Sequence, residues 1–292
     1  MSRSENFHTM GGKLKIVLIV GLLVGLGTAF ILFAPISPGP DLTGRGCLVL
    51  AYHRVVPRPW LPVDYLTFGS DEYTVYESSF REQIRSVKAA GGTFITPETL
   101  EDIVRRKSVA PSKCVLVTLD DADLSSYRNA FPILKAEGVP FLLFVISGRV
   151  GSRKFKGLEM ATWAQLQEMT ASGLATIGSH THDMHDAPDG RKAIFTAPEK
   201  LEAFSRDLEL SISTIQSNTG VRPYYFAYPY GFGTPKTDAF AVSAGMRLIF
   251  TLRPGLVKEG DPAFFVKRLM ITPRNGRVLQ DWLAARGTAS TD

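Results

Sequence analysis

From residue 47 onward the chain alternates short, unbroken apolar runs with segments whose apolar residues recur at helical spacing. "CLVLAYH" (Cys47–His53), "TFIT", "CVLVTLDD" (Cys114–Asp121), "VPFLLFVI", "LATIGSH" (Leu174–His180), "YYFAYPYG" (Tyr224–Gly231), "RLIFTL" and "FVKRLMI" read as strands. Between them, "SSFREQIRSVKAAGG", "TPETLEDIVRRK", "DLSSYRNAFPILKAEG", "TWAQLQEMTASG", "APEKLEAFSRDLELSISTIQSNTG" and "TDAFAVSAG" predict helices, with Thr-Pro starts and Gly stops. Strands that are apolar throughout, rather than at alternate positions, imply a parallel sheet covered by helices on both faces. About seven such units in ~250 residues predict an α/β fold, a distorted, TIM-like (β/α) barrel. One segment breaks the alternation. The Pro- and Tyr-rich stretch Arg54–Tyr76 follows the first strand, and a long loop there is expected to overhang the active face.

The N-terminus differs in kind. "IVLIVGLLVGLGTAFILFA", beginning at Ile16, is almost wholly apolar, and no charge occurs between Lys15 and Asp41. Its length matches a bilayer span of ~20 residues better than the ~7–15-residue apolar core of a cleaved signal. The pattern predicts a cytoplasmic tail over 1–15, a transmembrane anchor or uncleaved signal over 16–36, a linker over 37–46, and one domain over 47–292. Arg3, Lys13 and Lys15 precede the span, so the positive-inside rule places the large C-terminal domain outside the cytoplasm.

Charge and cysteines add little to this picture. The formal charge is +5, of which residues 1–40 supply +2. Without a Lys/Arg block interleaved with aromatics, nucleic acid is excluded as a partner. Cys47 and Cys114 both fall in strands, where they are either two buried small hydrophobes or a disulfide of an exported protein. Spacing leaves both open.

The chemistry lies where the strands end. "CLVLAYH" ends in His53, "CVLVTLDD" in Asp120-Asp121, "LATIGSH" runs into "THDMH", and "YYFAYPYG" closes on Tyr228–Gly231. Parallel barrels assemble their sites from residues at that end of several strands. Asp120-Asp121 alone would read as a cap of the next helix. With histidines at a neighbouring strand end, one carboxylate and two imidazoles make a three-ligand metal set with open positions, and the second carboxylate becomes a base for water. The facial triad of Fe(II) oxygenases uses the same donors but places the first His and carboxylate close together, whereas Asp121 lies about sixty positions before the histidines.

"VTLDDADLSSYRNAFPILKAEGVPFLLFVI" resembles the first motif of the polysaccharide deacetylases (the NodB homology domain, carbohydrate esterase family 4), whose usual form is T-F-D-D-G. "LAYHRV", "WAQLQEMTASGLATIGSHTHDMH", "FAYPYG" and "RPGLV" are similar to the branch of poly-β-1,6-N-acetylglucosamine N-deacetylases, and the likeness runs from Cys47 to Ile271. It implies a metal-dependent hydrolase of N-acetyl groups. Asp120 would be the general base, Asp121, His180 and His185 the metal ligands, and His53 the general acid. The backbone N–H near Tyr230 would help hold the oxyanion. The ion would be Zn²⁺, with Co²⁺ or Ni²⁺ as alternatives.

The wider family spaces its two histidines four apart; here His180 and His185 are five apart. On a helix five residues turn ~500°, leaving side chains ~140° apart, so a bent loop is needed to bring both to one ion. His182 has no counterpart in the pattern and should tolerate Gln. Asp183 reads as a solvated loop carboxylate, with orientation of a ligand imidazole as its other reading.

Two departures stand out. Ala122 replaces the Gly after Asp-Asp, and no Arg stands at Ala227 or Tyr228, where the family carries the one that orients its base; Arg222 and Arg268 are the candidates to replace it. The expected substrate is an N-acetylated extracytoplasmic polysaccharide, foremost poly-β-1,6-N-acetylglucosamine of a biofilm, with exopolysaccharide synthesis or export machinery as neighbours. Peptidoglycan, chitooligosaccharide or another exopolysaccharide is the alternative, as is an inactive membrane-tethered glycan-binding protein. Trp60, Tyr65 and Phe68 of the Arg54–Tyr76 segment are candidate sugar-stacking rings.

Overall fold

A computed structural model describes residues 40–58, 72–188 and 192–285. The anticipated membrane span and the rings of Trp60, Tyr65 and Phe68 lie outside the described residues. Among the described residues no helix is long and apolar enough to cross a membrane. Residues from Asp41 onward make one compact unit.

Its centre is a curled sheet whose main path runs β10 (Leu256–Val257), β1 (Cys47–Tyr52), β5 (Cys114–Leu119), β6 (Phe141–Val145), β7 (Ala175–Ser179), β8 (Tyr225–Ala227) and β9 (Leu248–Phe250). All are parallel except the β10–β1 pair. β4 (Thr93–Phe94) pairs with the start of β5, and β11 (Leu269–Met270) runs parallel to β1. The anticipated TIM-like closure is incomplete. On the open side of β1 lie the two-residue strands β10 and β11, and among the described residues the segment before β11 meets β9 through a single bridge, Val266 to Phe250. The physical reason is strand length: β8 and β9 have three residues each and β11 two, too few for a continuous ladder. A second, two-stranded parallel ribbon joins β2 (Arg54–Val56) to β3 (Thr74–Tyr76) at the two ends of the anticipated insertion.

The strands are apolar throughout because both faces are covered. Leu48, Leu50, Val115, Val117 and Leu143 face a cluster with α1 (Glu77–Ala89), α3 (Phe131–Glu137) and α7 (Gly276–Ala285), the last not anticipated from the sequence. The alternate set, Cys47, Val49, Leu116, Phe144, Ala227 and Phe250, faces inward with Leu100 and Ile103 of α2 (Pro97–Val104). Phe226 and Ile249 pack outward on α5 (Leu201–Thr219) and α6 (Pro235–Ser243). Fully burying each large apolar side chain stabilises by about 1.5–3 kcal/mol.

Local chemistry sets the helix ends. Thr96 caps α2 through Thr99 N–H, and Thr162 forms a capping box with Gln165 at the start of α4 (Trp163–Ala171). Gly138 and Gly220 end α3 and α5 in the left-handed conformation that lacks a Cβ penalty. The segment anticipated as one helix from Asp123 to Gly138 is helical from Leu124 but widens over Ser126–Ala130, where Phe131 N–H reaches back to Ser126 C=O. Pro132 has no N–H to give Arg128, so the regular ladder is interrupted there.

Cys47 and Cys114 stand opposite one another in the β1–β5 register and form a disulfide, with Cα atoms 4.4 Å apart. This settles the choice that spacing left open. It ties together the two strands whose far ends carry His53 and Asp120-Asp121.

Candidate active site

Strand parity places the polar residues. His53 continues the inward set of β1 after Cys47 and Val49, and Asp120 continues that of β5 after Leu116 and Thr118. Because β1, β5, β7 and β8 are parallel, their C-terminal ends share one rim. His53 Nε2 lies 3.8 Å from Asp120 Oδ2, and its ring meets Tyr73 edge-on at 4.9 Å. His53, Asp121, His180, His185 and Tyr230 line one cleft of about 570 Å³, together with Arg54, Tyr73 and Lys156.

Asp120 is 1 % exposed and Arg268 is wholly buried. The guanidinium grips the carboxylate with both arms, Nη1 to Oδ1 at 2.6 Å and Nη2 to Oδ2 at 2.9 Å. Nη1 also donates to Thr118 Oγ1 and Nε to the Thr251 carbonyl, and the guanidinium lies over the Phe144 ring. Burial alone would raise the Asp120 pKa; the Arg268 charge, with the neighbouring imidazoles, outweighs it and holds the carboxyl below its ordinary range. Of the two arginines the sequence offered, Arg268 is therefore the partner. Arg222 is spent elsewhere, donating to the Ala244 carbonyl.

Asp121 leaves the strand at φ 69° and Ala122 follows at φ 62°. Two consecutive left-handed residues cost about 1–2 kcal/mol each for a residue with a Cβ, which is why glycine suits the second position. Here the turn is held by Ala122 N–H to Asp120 C=O and Ala161 N–H to Ala122 C=O, while the Ala122 methyl is buried. The turn directs Asp121 away from Arg268 and toward the histidines. Its Oδ1 lies 3.5 Å from His180 Nε2 and 3.1 Å from His185 Nε2. One donor atom from each of the three residues falls within 4.8 Å of the others.

The set fits a divalent cation on its own chemistry. Asp121 Oδ1 is buried with no hydrogen-bond partner, although two imidazoles converge on it. His180 donates Nδ1–H to the Ala227 carbonyl at 2.8 Å, which fixes the tautomer and leaves the Nε2 lone pair facing Asp121. Burial pushes the His180 pKa down to about 4, so the ring is neutral at physiological pH, as a ligand must be.

The five-residue histidine spacing is accommodated by a bent loop. His180 still pairs with β6 through Val145 C=O, and Thr181 then turns the chain at φ 73°. A β-branched residue in that region is a true outlier, and it stands between the two histidines. His182 faces away from the cluster, its Nδ1 3.0 Å from Ser147 Oγ. Asp183 pairs with Arg149 at the surface, in line with its reading as a solvated carboxylate. Asp207 of α5, not anticipated, accepts from the N–H groups of both His182 (2.7 Å) and Asp183 (2.8 Å) and so anchors the loop. Beside it Ser211 holds Ser179 and Ser147 at 2.8 and 3.1 Å. Polar residues on the apolar stripe of α5, Phe204-Leu208-Ile212-Ile215, are a signal legible in the sequence. Lys156, also not anticipated, reaches Tyr230 Oη at 3.0 Å and Asp186 at 2.9 Å from a tight turn that carries no such signal. Tyr230 sits at φ 61° in the turn after β8, with its ring 5.2 Å from that of His185.

Known proteins resemble this chain in sequence and in fold. Residues 107–249 match the family model for polysaccharide deacetylase. Poly-beta-1,6-N-acetyl-D-glucosamine N-deacetylase of Staphylococcus aureus (strain MRSA252) is 31% identical over 235 residues, covering 78% of this chain and 79% of that one. The Staphylococcus epidermidis protein of the same name is also 31% identical, covering 78% and 80%. The solved structure of IcaB from Ammonifex degensii superposes with a TM-score of 0.75 at 40% identity, over 83% of this chain and 98% of that one. With both the sequence and the sheet matched over most of their lengths, the chain belongs to the polysaccharide deacetylase family.

Proposed function

We propose that this protein removes N-acetyl groups from poly-β-1,6-N-acetylglucosamine outside the cytoplasm, using a divalent ion held by Asp121, His180 and His185. The observation that carries the reading is the convergence of these three donors beside a second carboxylate, Asp120, with His53 on the same rim. Zn²⁺, Co²⁺ or Ni²⁺ bound there would supply Lewis acidity toward the acetyl carbonyl and toward water.

The chain's own residues divide the rest of the work. Asp120, ionised and held by Arg268, takes the proton of the attacking water. His53 gives a proton to the departing amine. The backbone N–H at Tyr230 donates to the oxygen that gains charge as the carbonyl is attacked.

Exported location is supported by the Cys47–Cys114 disulfide, which persists in oxidising compartments, and by the apolar stretch over 16–36. The lack of an arginine at Ala227 or Tyr228 would by itself support the alternative of an inactive glycan-binding protein. Arg268 removes that support, since Asp120 has its bidentate partner.

The choice of polymer is tested by acetate release from β-1,6-linked N-acetylglucosamine oligomers, chitooligosaccharides and peptidoglycan, each with metal-replete protein. We expect kcat/KM on the β-1,6 oligomer to exceed the others by tenfold or more, about 1.4 kcal/mol of discrimination. A chitooligosaccharide or peptidoglycan turned over faster would reassign the substrate.

A further inference from the structure

The two histidines of the centre are held in different ways. His180 has its ring fixed by Nδ1–H to the Ala227 carbonyl. His185 has no such hold, since its Nδ1 is buried without a hydrogen-bond partner. A ligand imidazole ordinarily relies on its second nitrogen for orientation. Something else must therefore place His185, which sits at the end of the strained loop begun by Thr181.

Resting on the metal centre proposed above, we infer that Lys156 is the positioning residue for His185. Its ammonium donates to the His185 backbone carbonyl, donates to Tyr230 Oη at 3.0 Å, and pairs with Asp186 Oδ1 at 2.9 Å. One cation thus ties together the end of the histidine loop and the turn after β8. The residue is presented by a two-residue turn in which Lys156 and Gly157 both have positive φ, 49° and 82°, and Phe155 and Leu158 exchange both backbone hydrogen bonds. That geometry aims the side chain across the cleft mouth. The Phe155 and Tyr230 rings lie 6.2 and 5.2 Å from that of His185, and the Lys156 ammonium is near both. Lys156 fixes the main chain of His185 and thereby the ring. Lys156 is not one of the three residues whose donor atoms converge.

The test is Zn²⁺ affinity of the folded protein, measured by competition with a chromophoric chelator. Lys156→Met is expected to weaken binding about 10–100-fold, the range typical when a partner that orients a metal ligand is lost. Lys156→Arg should recover most of it, and Lys154→Met, a neighbouring exposed lysine, should match the parent. The visible spectrum of the Co²⁺-loaded Lys156→Met protein should differ from that of the parent, while the apo proteins melt together. Parent-like Zn²⁺ affinity in Lys156→Met would overturn the inference and leave the centre intact. So would a loss of affinity matched by an equal fall in apo melting temperature. A parent protein that binds no stoichiometric Zn²⁺ would overturn the centre and the clamp together.

Discussion

Arg268→Met is expected to destabilise the fold by about 3–5 kcal/mol, because it leaves the Asp120 carboxylate buried without its counter-charge. Turnover should fall by about 10²–10⁴-fold in the same variant, the range a well-placed general base contributes. The two effects are separable. In the double variant Arg268→Met/Asp120→Asn the buried charge is gone, so most of the stability should return while acetate release stays lost. Denaturant midpoints and initial rates on N-acetylglucosamine oligomers check both. A single Arg268→Met variant with the parent midpoint would show that the guanidinium is not what compensates Asp120. Arg268→Lys should fail as well, since an ammonium cannot make the paired contacts of the fork or reach Thr118 and Thr251 together.

His180→Ala is expected to lower metal affinity by more than about 100-fold, beyond the loss seen for partners that merely orient a ligand, and to abolish acetate release with it. His180 is the proposed ligand whose lone pair is fixed toward Asp121, so no neighbour replaces it. Asp120→Asn and His53→Ala should separate the two functions by keeping the metal and losing turnover. His182→Gln should keep both within about threefold. The amide can still meet Ser147 Oγ, so at most one hydrogen bond, worth about 0.5–1.5 kcal/mol, is at stake. Metal content after dialysis, measured beside acetate release, sorts the four variants. Metal retained by His180→Ala would remove that residue from the ligand set.

The helix-covered parallel sheet and its rim, though not its incomplete closure, were legible for a reason rooted in strand geometry. Continuous apolar runs require a sheet buried on both faces, and polar residues that end several parallel strands must share one rim. Period-two parity even gives the inward direction of His53 and Asp120. What stayed hidden depends on contacts across long sequence separations. Arg268 lies 148 positions from Asp120, and the spacing of charges along the chain ranks it no higher than Arg222. Lys156 sits in a short surface turn among other lysines and arginines, and only the folded turn directs it toward His185. Asp207 left a trace, a carboxylate beside an apolar helix stripe, but its partners are backbone N–H groups that a sequence does not display. The wide turn before α3 was likewise implicit in Pro132, whose missing N–H interrupts the ladder.

A divalent ion held by Asp121, His180 and His185 is proposed to drive N-acetyl hydrolysis at this rim. That role is tested most directly by acetate release from β-1,6-linked N-acetylglucosamine oligomers before and after chelation, followed by stepwise return of Zn²⁺. The chelated protein should release no acetate and recover fully at one equivalent. Release that continues at the parent rate after the metal is gone, or no release from metal-replete protein, would contradict it.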